Sequence, residues 1–361
     1  MTAICEQCRL TLHECQWGGN HPPSASAVTS DQIADALLSL ELHADCYVRW
    51  PWAALDDLYG GMAPGTVHYV VAFSGMGKST FIGSATLRWA AVGTRVDVMP
   101  LEVRANTFRT YLACQSLGID PGLMLSGDFW RRKDAIELRE RVSDAVRSQI
   151  KEPFFSRVQV HGAADISAAG LRRAAQIARE RGAEVLVVDH IDHVEGDADR
   201  WQSQYGASVQ VNREALRIAQ DTGLVLICMS QANQAALSGS HDHLAKYAPL
   251  RDNHVLNGGH KRQNATGMIG LYRPLIAEPD NGSQADVEAF RESIRLARAG
   301  AREPHTVLEP RTMGINIMKS RTHGEREGKR IALTWDNGRI VDRSTLPYSL
   351  RVVGGGERRH A

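Results

Sequence analysis

The chain has 361 residues, enough for one large or two modest domains with a sizeable core. Hydrophobic residues make up 43%, charged residues 23% and aromatic residues 6%, which is typical of a soluble globular α/β enzyme and excludes a fibre or a disordered chain. The formal net charge is +1, so affinity for nucleic acid has to come from local clusters. Because no apolar run has transmembrane length and the N-terminus lacks a signal-peptide pattern, we expect a cytoplasmic protein without a membrane partner.

The first segment, residues 1–23, is rich in cysteine and histidine. Thiolates and neutral imidazoles are preferred ligands of Zn²⁺, so this short stretch can close a tetrahedral zinc site. The alternative is a disordered, reduced tail, because the spacing matches no standard zinc finger. The candidate ligands are Cys5, Cys8, His13, Cys15 and His21.

Residues 24–49 are interpreted as a linker followed by an amphipathic helix. The Pro22–Ser26 stretch has linker composition, Ser30-Asp31 can cap a helix, and the following leucines fall on one helical stripe ending near Ala44. That stripe needs a surface to pack on, either its own domain or a neighbouring subunit. Residues 51–65, rich in glycine and proline, are predicted to form a loop.

The segment Val67–Gly83 predicts a strand, a phosphate-binding loop and a helix. Lys78 would reach the β/γ-phosphate oxygens, and the hydroxyl of Ser79 would hold Mg²⁺. Ala72 stands where the usual motif begins with glycine. The residues predicted to bind ATP are Ser74, Gly75, Met76, Gly77, Lys78, Ser79 and Thr80.

Three polar residues follow predicted strands. Glu102 follows the strand Arg95–Leu101 and could polarise the attacking water, although a solvated strand end explains it as well. Asp189 ends the apolar run that begins after Glu184 and would bind Mg²⁺, either directly or through water. Gln231 follows the strand Leu224–Met229, where it either contacts the γ-phosphate or merely caps the strand end.

The other elements follow from periodicity and composition. Helices are predicted over 79–91, 105–117, 131–151, 164–181 and 209–222, and further strands over 267–272, 313–318 and 330–335. Residues 232–262 are predicted to be loops. Within a domain spanning 50–350, residues 273–312 form a charged insertion with a helix at about 284–299, and residues 351–361 a disordered tail.

Taken in order from about Trp50 to Arg343, these motifs resemble the RecA-like ATPase domain of the DnaB family of hexameric replicative helicases. That family's own phosphate loop begins with alanine, as here. The resemblance implies an α/β, RecA-like P-loop NTPase core with a mostly parallel central sheet. The matching segments are Ala72-x-x-x-Met76-Gly77-Lys78-Ser79, Leu101-Glu102, Val187-Val188-Asp189, Ser230-Gln231-x-Asn233, Gly259-x-x-x-Gln263-x-Ala265 and Lys319-x-Arg321.

The resemblance also implies how the chain works. It predicts an ATP- and Mg²⁺-dependent DNA helicase that forms a ring hexamer, translocates on single-stranded DNA and meets a primase or a helicase loader. Glu102 becomes the catalytic glutamate, Asp189 the metal aspartate and Gln231 the sensor. Lys319 and Arg321 become the pair that reaches a neighbour's nucleotide, although a solvated basic turn is the alternative.

This sequence departs from the family pattern at two places. The usual helical N-terminal domain is replaced by the cysteine-rich segment, and the central DNA loop has Leu256-Asn257 instead of an arginine–glutamate pair. Nearby basic residues, His260 among them, could contact DNA in place of that pair. The candidate DNA-binding residues are Arg251, His254, Asn257, Gly259, Lys261 and Arg262.

Two alternatives remain open from the sequence. One is a RadA-like recombination or repair ATPase, which shares an N-terminal cysteine motif and a lysine-x-arginine signature. The other is a DNA-stimulated ATPase that acts as a scaffold without unwinding DNA. Strand-displacement assays on forked duplexes separate them, because only a helicase unwinds with a polarity.

Overall fold

A computed structural model describes residues 47–125, 131, 136–162, 165–196, 204–233, 249–273, 312–336 and 338–342. The chain divides into two compact units, Met1–Tyr47 and Val48–Ala361. The described residues, Tyr47 apart, belong to the second unit, and the architecture below is that of this unit alone.

The second unit is built on one nine-stranded sheet in the order β3-β2-β4-β5-β1-β6-β7-β8-β9. The first six strands in that order are parallel, and β7, β8 and β9 are added antiparallel at one side. The strands are β1 Val67–Ala72, β2 Val96–Pro100, β3 Val158–Val160, β4 Val185–Asp189, β5 Val225–Gln231, β6 Gly267–Tyr272, β7 Thr312–Ser320, β8 Arg330–Asp336 and β9 Arg339–Val341.

Helices connect and cover these strands. Those in the described residues are α1 Ala53–Tyr59, α2 Lys78–Ala91, α3 Ala105–Leu117, α4 Pro121–Leu125, α5 Ile136–Ile150, α6 Ala168–Glu180, α7 Gln204–Thr222 and α8 Gly258–Asn264. None of the helices in this part of the chain is long and apolar enough to span a bilayer.

The central strands are mostly apolar, as expected for a parallel sheet that is buried on both faces. Every residue of β1, β2 and β4 is buried. Because these strands run in the same direction, the residues that follow Ala72, Pro100 and Asp189 meet along the edge of the sheet formed by the carboxyl ends of its parallel strands. Ligands bind at this edge in open α/β folds. The mostly parallel RecA-like sheet predicted from the sequence is confirmed.

Two of the predicted loops contain helices. Residues 51–65 include α1, whose Leu55 packs into the core, and residues 232–262 include the start of α8. Both helices have only seven residues, too few to establish a 3.6-residue periodicity in the sequence. The predicted helix 105–117 and strand 267–272 coincide with α3 and β6.

Several predictions fall outside the described residues. These are the cysteine and histidine ligands Cys5, Cys8, His13, Cys15 and His21, the helix at 30–44, nearly all of the 273–312 insertion and the 351–361 tail. In the part of the chain that is described, no group of three or more His, Cys, Asp or Glu side chains is arranged to hold a metal ion. The predicted zinc ligands lie outside that part, so zinc binding stays a prediction.

Candidate nucleotide-binding and catalytic site

The loop between β1 and α2 has the backbone conformation of a phosphate cradle. Gly75 and Gly77 both adopt left-handed conformations, with φ of 76° and 93°, which glycine tolerates best. Gly77 is the N-cap of α2, so the first unpaired N–H groups of that helix face the loop. This end of the helix carries a partial positive charge that favours a phosphate.

Trp335 of β8 and Met313 of β7 pack against the phosphate loop. A Cβ built on Gly77 would lie 2.9 Å from Cε of Met313 and would overlap the indole of Trp335. The glycine is therefore required by tertiary packing as well as by its φ angle. The sequence motif indicates only the requirement set by the φ angle.

Lys78 is the buried cation of the site. Its side chain is 8% exposed, and its Nζ lies 3.4 Å from the carbonyl of Ala72. Burial lowers the pKa of Lys78, and the carboxylates of Glu102 and Asp189 act in the opposite direction. A desolvated ammonium at this position is suited to contact a phosphate oxygen.

Asp189 faces Ser79 at the end of β4. The Ser79 hydroxyl donates to Oδ2 of Asp189 at 3.4 Å, while Oδ1 has no hydrogen-bond partner among the described residues. Burial, together with the charge of Glu102, raises the pKa of Asp189 to about 6. A buried carboxylate beside a hydroxyl fits the oxygen-ligand preference of Mg²⁺ and would be stabilised by that cation.

Glu102 is held close to Asp189 by the backbone. The N–H groups of Leu101 and Glu102 both donate to the carbonyl of Asp189, at 2.6 and 3.2 Å. The Glu102 side chain is 50% exposed, and its Oε2 lies 3.2 Å from Nε2 of His190. The glutamate is therefore fixed at its main chain and open to solvent at its carboxylate.

Gln231 ends β5 beside Ala72 of β1. Its backbone N–H donates to Oδ2 of Asp192 at 2.8 Å, so Asp192 determines where this strand end lies. Sequence reasoning missed Asp192 and His190, which both follow the Asp189 strand. The polar spacing in Asp189-His190-Ile191-Asp192 was the available signal.

Lys319 and Arg321 do not join the site of their own chain. Ser320 pairs with Gly267, which pairs with His68 near the start of β1, whereas the phosphate loop follows Ala72 at the other end. The four-residue offset along β1 corresponds to about 13 Å. The two basic residues therefore lie at the opposite edge of the sheet.

Both basic side chains at this edge bind backbone carbonyls. Lys319 Nζ donates to the carbonyls of Ala265, at 2.7 Å, and Arg262, and the Arg321 guanidinium donates to the carbonyl of Gln263. Burial and the neighbouring arginines lower the pKa of Lys319 to about 8. Arg321 remains exposed.

The candidate DNA-binding residues divide by exposure. Arg251 and Gly259 are exposed, and Asn257 is partly exposed with a left-handed φ of 53°. Arg262 is partly exposed and forms ion pairs at 2.9 Å with Asp252 and with Glu327.

The other two of the six candidates are buried. Lys261 is 0% exposed and forms an ion pair with Asp192 and a 2.8 Å hydrogen bond to the hydroxyl of Ser230. His254 is buried against Phe73, with 5.7 Å between the ring centroids. Neither side chain is exposed in this subunit: Lys261 lies on the inward face of α8, and His254 ends the short turn before α8 and packs on Phe73.

The phosphate loop, the buried lysine and the serine–aspartate pair at the carboxyl edge of this sheet define a P-loop nucleoside triphosphatase with a RecA-like core. Residues 48–323, more than half of the chain, match the family described as DnaB-like helicase C terminal domain. The chain belongs to the DnaB-like helicase family, whose members are ATP-hydrolysing DNA helicases. The DnaB resemblance is confirmed, in preference to the RadA-like alternative.

Solved structures agree with this fold. The ATPase domain of a DnaB-like helicase is similar with a TM-score of 0.62 and 16% identity, covering 88% of this chain and 99% of that chain. A DnaB-like replicative helicase, solved for its interactions with primase, is similar with a TM-score of 0.60 and 16% identity, covering 87% of this chain and 66% of that chain. Comparison with curated proteins finds no significant relative.

Proposed function

We propose that this chain assembles into a hexameric ring that translocates on single-stranded DNA and unwinds duplex DNA in replication, driven by hydrolysis of ATP with Mg²⁺. The observation that carries the proposal is the convergence of Lys78, Ser79, Asp189 and Glu102 at one sheet edge in a chain of the DnaB-like family. Such a protein works in the cytoplasm, where a primase or a helicase loader would be its protein partner.

Each residue of the site has a distinct role in this proposal. The phosphate loop and Lys78 would bind the β- and γ-phosphates. Ser79 and Asp189 would hold Mg²⁺, which when bound would neutralise developing charge on the phosphate oxygens. Gln231 contacts the γ-phosphate, and Glu102 accepts a proton from the attacking water. The half-exposed carboxylate of Glu102 supports this last role, because water can reach it.

The first test separates ATP binding from ATP hydrolysis. Lys78→Ala should abolish hydrolysis and weaken nucleotide binding, since it removes a contact made in both the ground state and the transition state. Glu102→Gln should keep nucleotide affinity and lose turnover by about 10²-fold or more, because the amide keeps its shape but cannot accept the proton. Equal nucleotide affinity in the two variants would contradict these roles.

The active site is proposed to be shared between subunits. Lys319 and Arg321 lie at the sheet edge opposite their own phosphate loop, as a pair that serves a neighbouring subunit's nucleotide would. An arginine supplied in trans is worth roughly 10³-fold or more in rate. Arg321→Ala should therefore bind ATP nearly normally and barely hydrolyse it.

Mixed oligomers test this sharing directly. In a random mixture of Lys78→Ala and Arg321→Ala subunits, about a quarter of the interfaces join an intact phosphate loop to an intact arginine, so ATPase activity should return. A mixture of Lys78→Ala and Glu102→Gln, whose lesions fall in the same site, is the control and should stay inactive. No recovery in the first mixture would overturn the shared site.

We propose that Arg251, together with Asn257 and Gly259, contributes to the contact with single-stranded DNA. Arg251→Ala should weaken DNA binding and lower the slope of log affinity against log salt by about 0.7, the release expected for one phosphate contact. Arg147→Ala removes another exposed arginine, on α5, and should leave that slope unchanged. Equal slopes in both variants would exclude Arg251 from the interface.

A further inference from the structure

His190 lies beneath Glu102 in the interior of the site. It follows Asp189 directly and its side chain is 3% exposed, whereas the Glu102 side chain is 50% exposed. The 3.2 Å between Nε2 of His190 and Oε2 of Glu102 is within hydrogen-bond range. One buried ring therefore contacts the solvent-exposed carboxylate.

The neighbours of the ring determine which nitrogen carries the proton. Nε2 faces a carboxylate, which only accepts hydrogen bonds. Nδ1 is 3.9 Å from Oδ2 of Asp192 and has no hydrogen-bond partner in the described part of the chain. The arrangement is satisfied by the Nε2–H tautomer.

The ring is held in place from two sides. The imidazole of His193 stacks on it, with 4.2 Å between centroids and 29° between planes. Asp192, in the same turn, is anchored by its ion pair with Lys261 and by the backbone N–H of Gln231. Because these contacts reach α8 and β5, the turn is fixed by the tertiary structure rather than by its own short sequence.

We propose that His190 is a positioning residue for Glu102, whose Nε2–H holds the glutamate carboxylate in the orientation that receives a proton from water. This inference rests on the proposed role of Glu102. In the reaction, water gives a proton to Glu102 while its oxygen bonds to the γ-phosphorus, and the bond from that phosphorus to the β,γ-bridging oxygen of ADP breaks. The proton on His190 stays in place, so the histidine contributes geometry and takes no part in the chemical balance.

Substitution of His190 should lower kcat and leave nucleotide binding intact. A misplacement of about 1 Å at a reacting group can cost on the order of 10²-fold in rate, so we expect His190→Leu to lose about 10- to 10²-fold in kcat with little change in KM for ATP. His190→Gln places an amide N–H near the position of Nε2 and should recover most of that loss. His190→Asn places its amide nearer the position of Nδ1 and should not.

The decisive experiment measures single-turnover ATP hydrolysis by the full chain in the single variants and in the Glu102→Gln background. If His190 acts through Glu102, His190→Leu has no further effect once Glu102 is glutamine. The proposal would be overturned if the losses from His190→Leu and Glu102→Gln were additive, or if the kcat of His190→Leu stayed within twofold of wild type. It would also be overturned if His190→Gln were no more active than His190→Asn. If His190→Leu does not fold, the single-turnover rates of His190→Gln and His190→Asn decide the question. Full activity of Glu102→Gln alone would instead refute the proposed function of Glu102.

Discussion

Replacement of Lys261 by methionine distinguishes a structural role from a role in DNA binding. The ammonium of Lys261 is 0% exposed and contacts Oδ1 of Asp192, whose side chain is only 12% exposed, together with the Ser230 hydroxyl. Methionine fills a similar volume without a charge. Asp192 would then keep the N–H of Gln231 as a partner and lose its counter-ion.

The expected cost follows from this burial. Removing one member of a buried ion pair leaves an uncompensated charge and typically destabilises a protein by about 3–5 kcal/mol. Against a total stability of about 5–15 kcal/mol this is a large fraction. With a urea m-value of about 3 kcal/mol/M, the unfolding midpoint should fall by about 1–1.7 M.

Urea unfolding and DNA-binding salt titrations together form the assay. Lys261→Met should lower the midpoint and leave the salt slope unchanged, and Lys261→Met/Asp192→Asn should regain at least half of the lost stability, because the unpaired charge is gone. Exposed Arg251 provides the matched control, since Arg251→Ala should change the salt slope and not the midpoint. A wild-type midpoint with a reduced slope in Lys261→Met would refute the reasoning.

Two further predictions concern the phosphate loop and the metal aspartate. Gly77→Ala should bind ATP weakly and lower the melting temperature, because alanine is strained at a φ of 93° and its Cβ would overlap the indole of Trp335. Gly75 has a similar φ but open space around it, so Gly75→Ala should lose less stability. Asp189→Asn should stabilise the Mg²⁺-free chain while abolishing turnover. The folded pKa of about 6 lies above the ordinary 3.8, so the free energy of unfolding falls as pH rises between these values. The full penalty, on the order of 3 kcal/mol, is present above pH 6. Urea unfolding in EDTA should therefore show a higher free energy of unfolding for Asp189→Asn than for wild type at about pH 7, and this difference should disappear towards about pH 4. A difference in unfolding free energy that stays constant with pH would contradict this account.

The sequence by itself determined the parts of this protein whose chemistry is local. Gly77-Lys78-Ser79 after a β-branched run predicts a strand, a phosphate loop and a helix, because a phosphate cradle is made from consecutive backbone groups. Asp189 was recognised in the same way, at the end of an aliphatic run that only a buried strand explains. The order of such motifs was enough to indicate the DnaB family and a mostly parallel sheet.

Only the tertiary structure decided how distant segments meet. Lys261 looked like a DNA contact because it lies in a basic, polar stretch, yet α8 turns it inward to Asp192, 69 residues away. Likewise, the contact of His190 with Glu102 and the packing of Trp335 on Gly77 depend on which strands are neighbours in the sheet. A side chain's charge can be read from the sequence. Its partner depends on long-range pairing, which a local pattern does not encode.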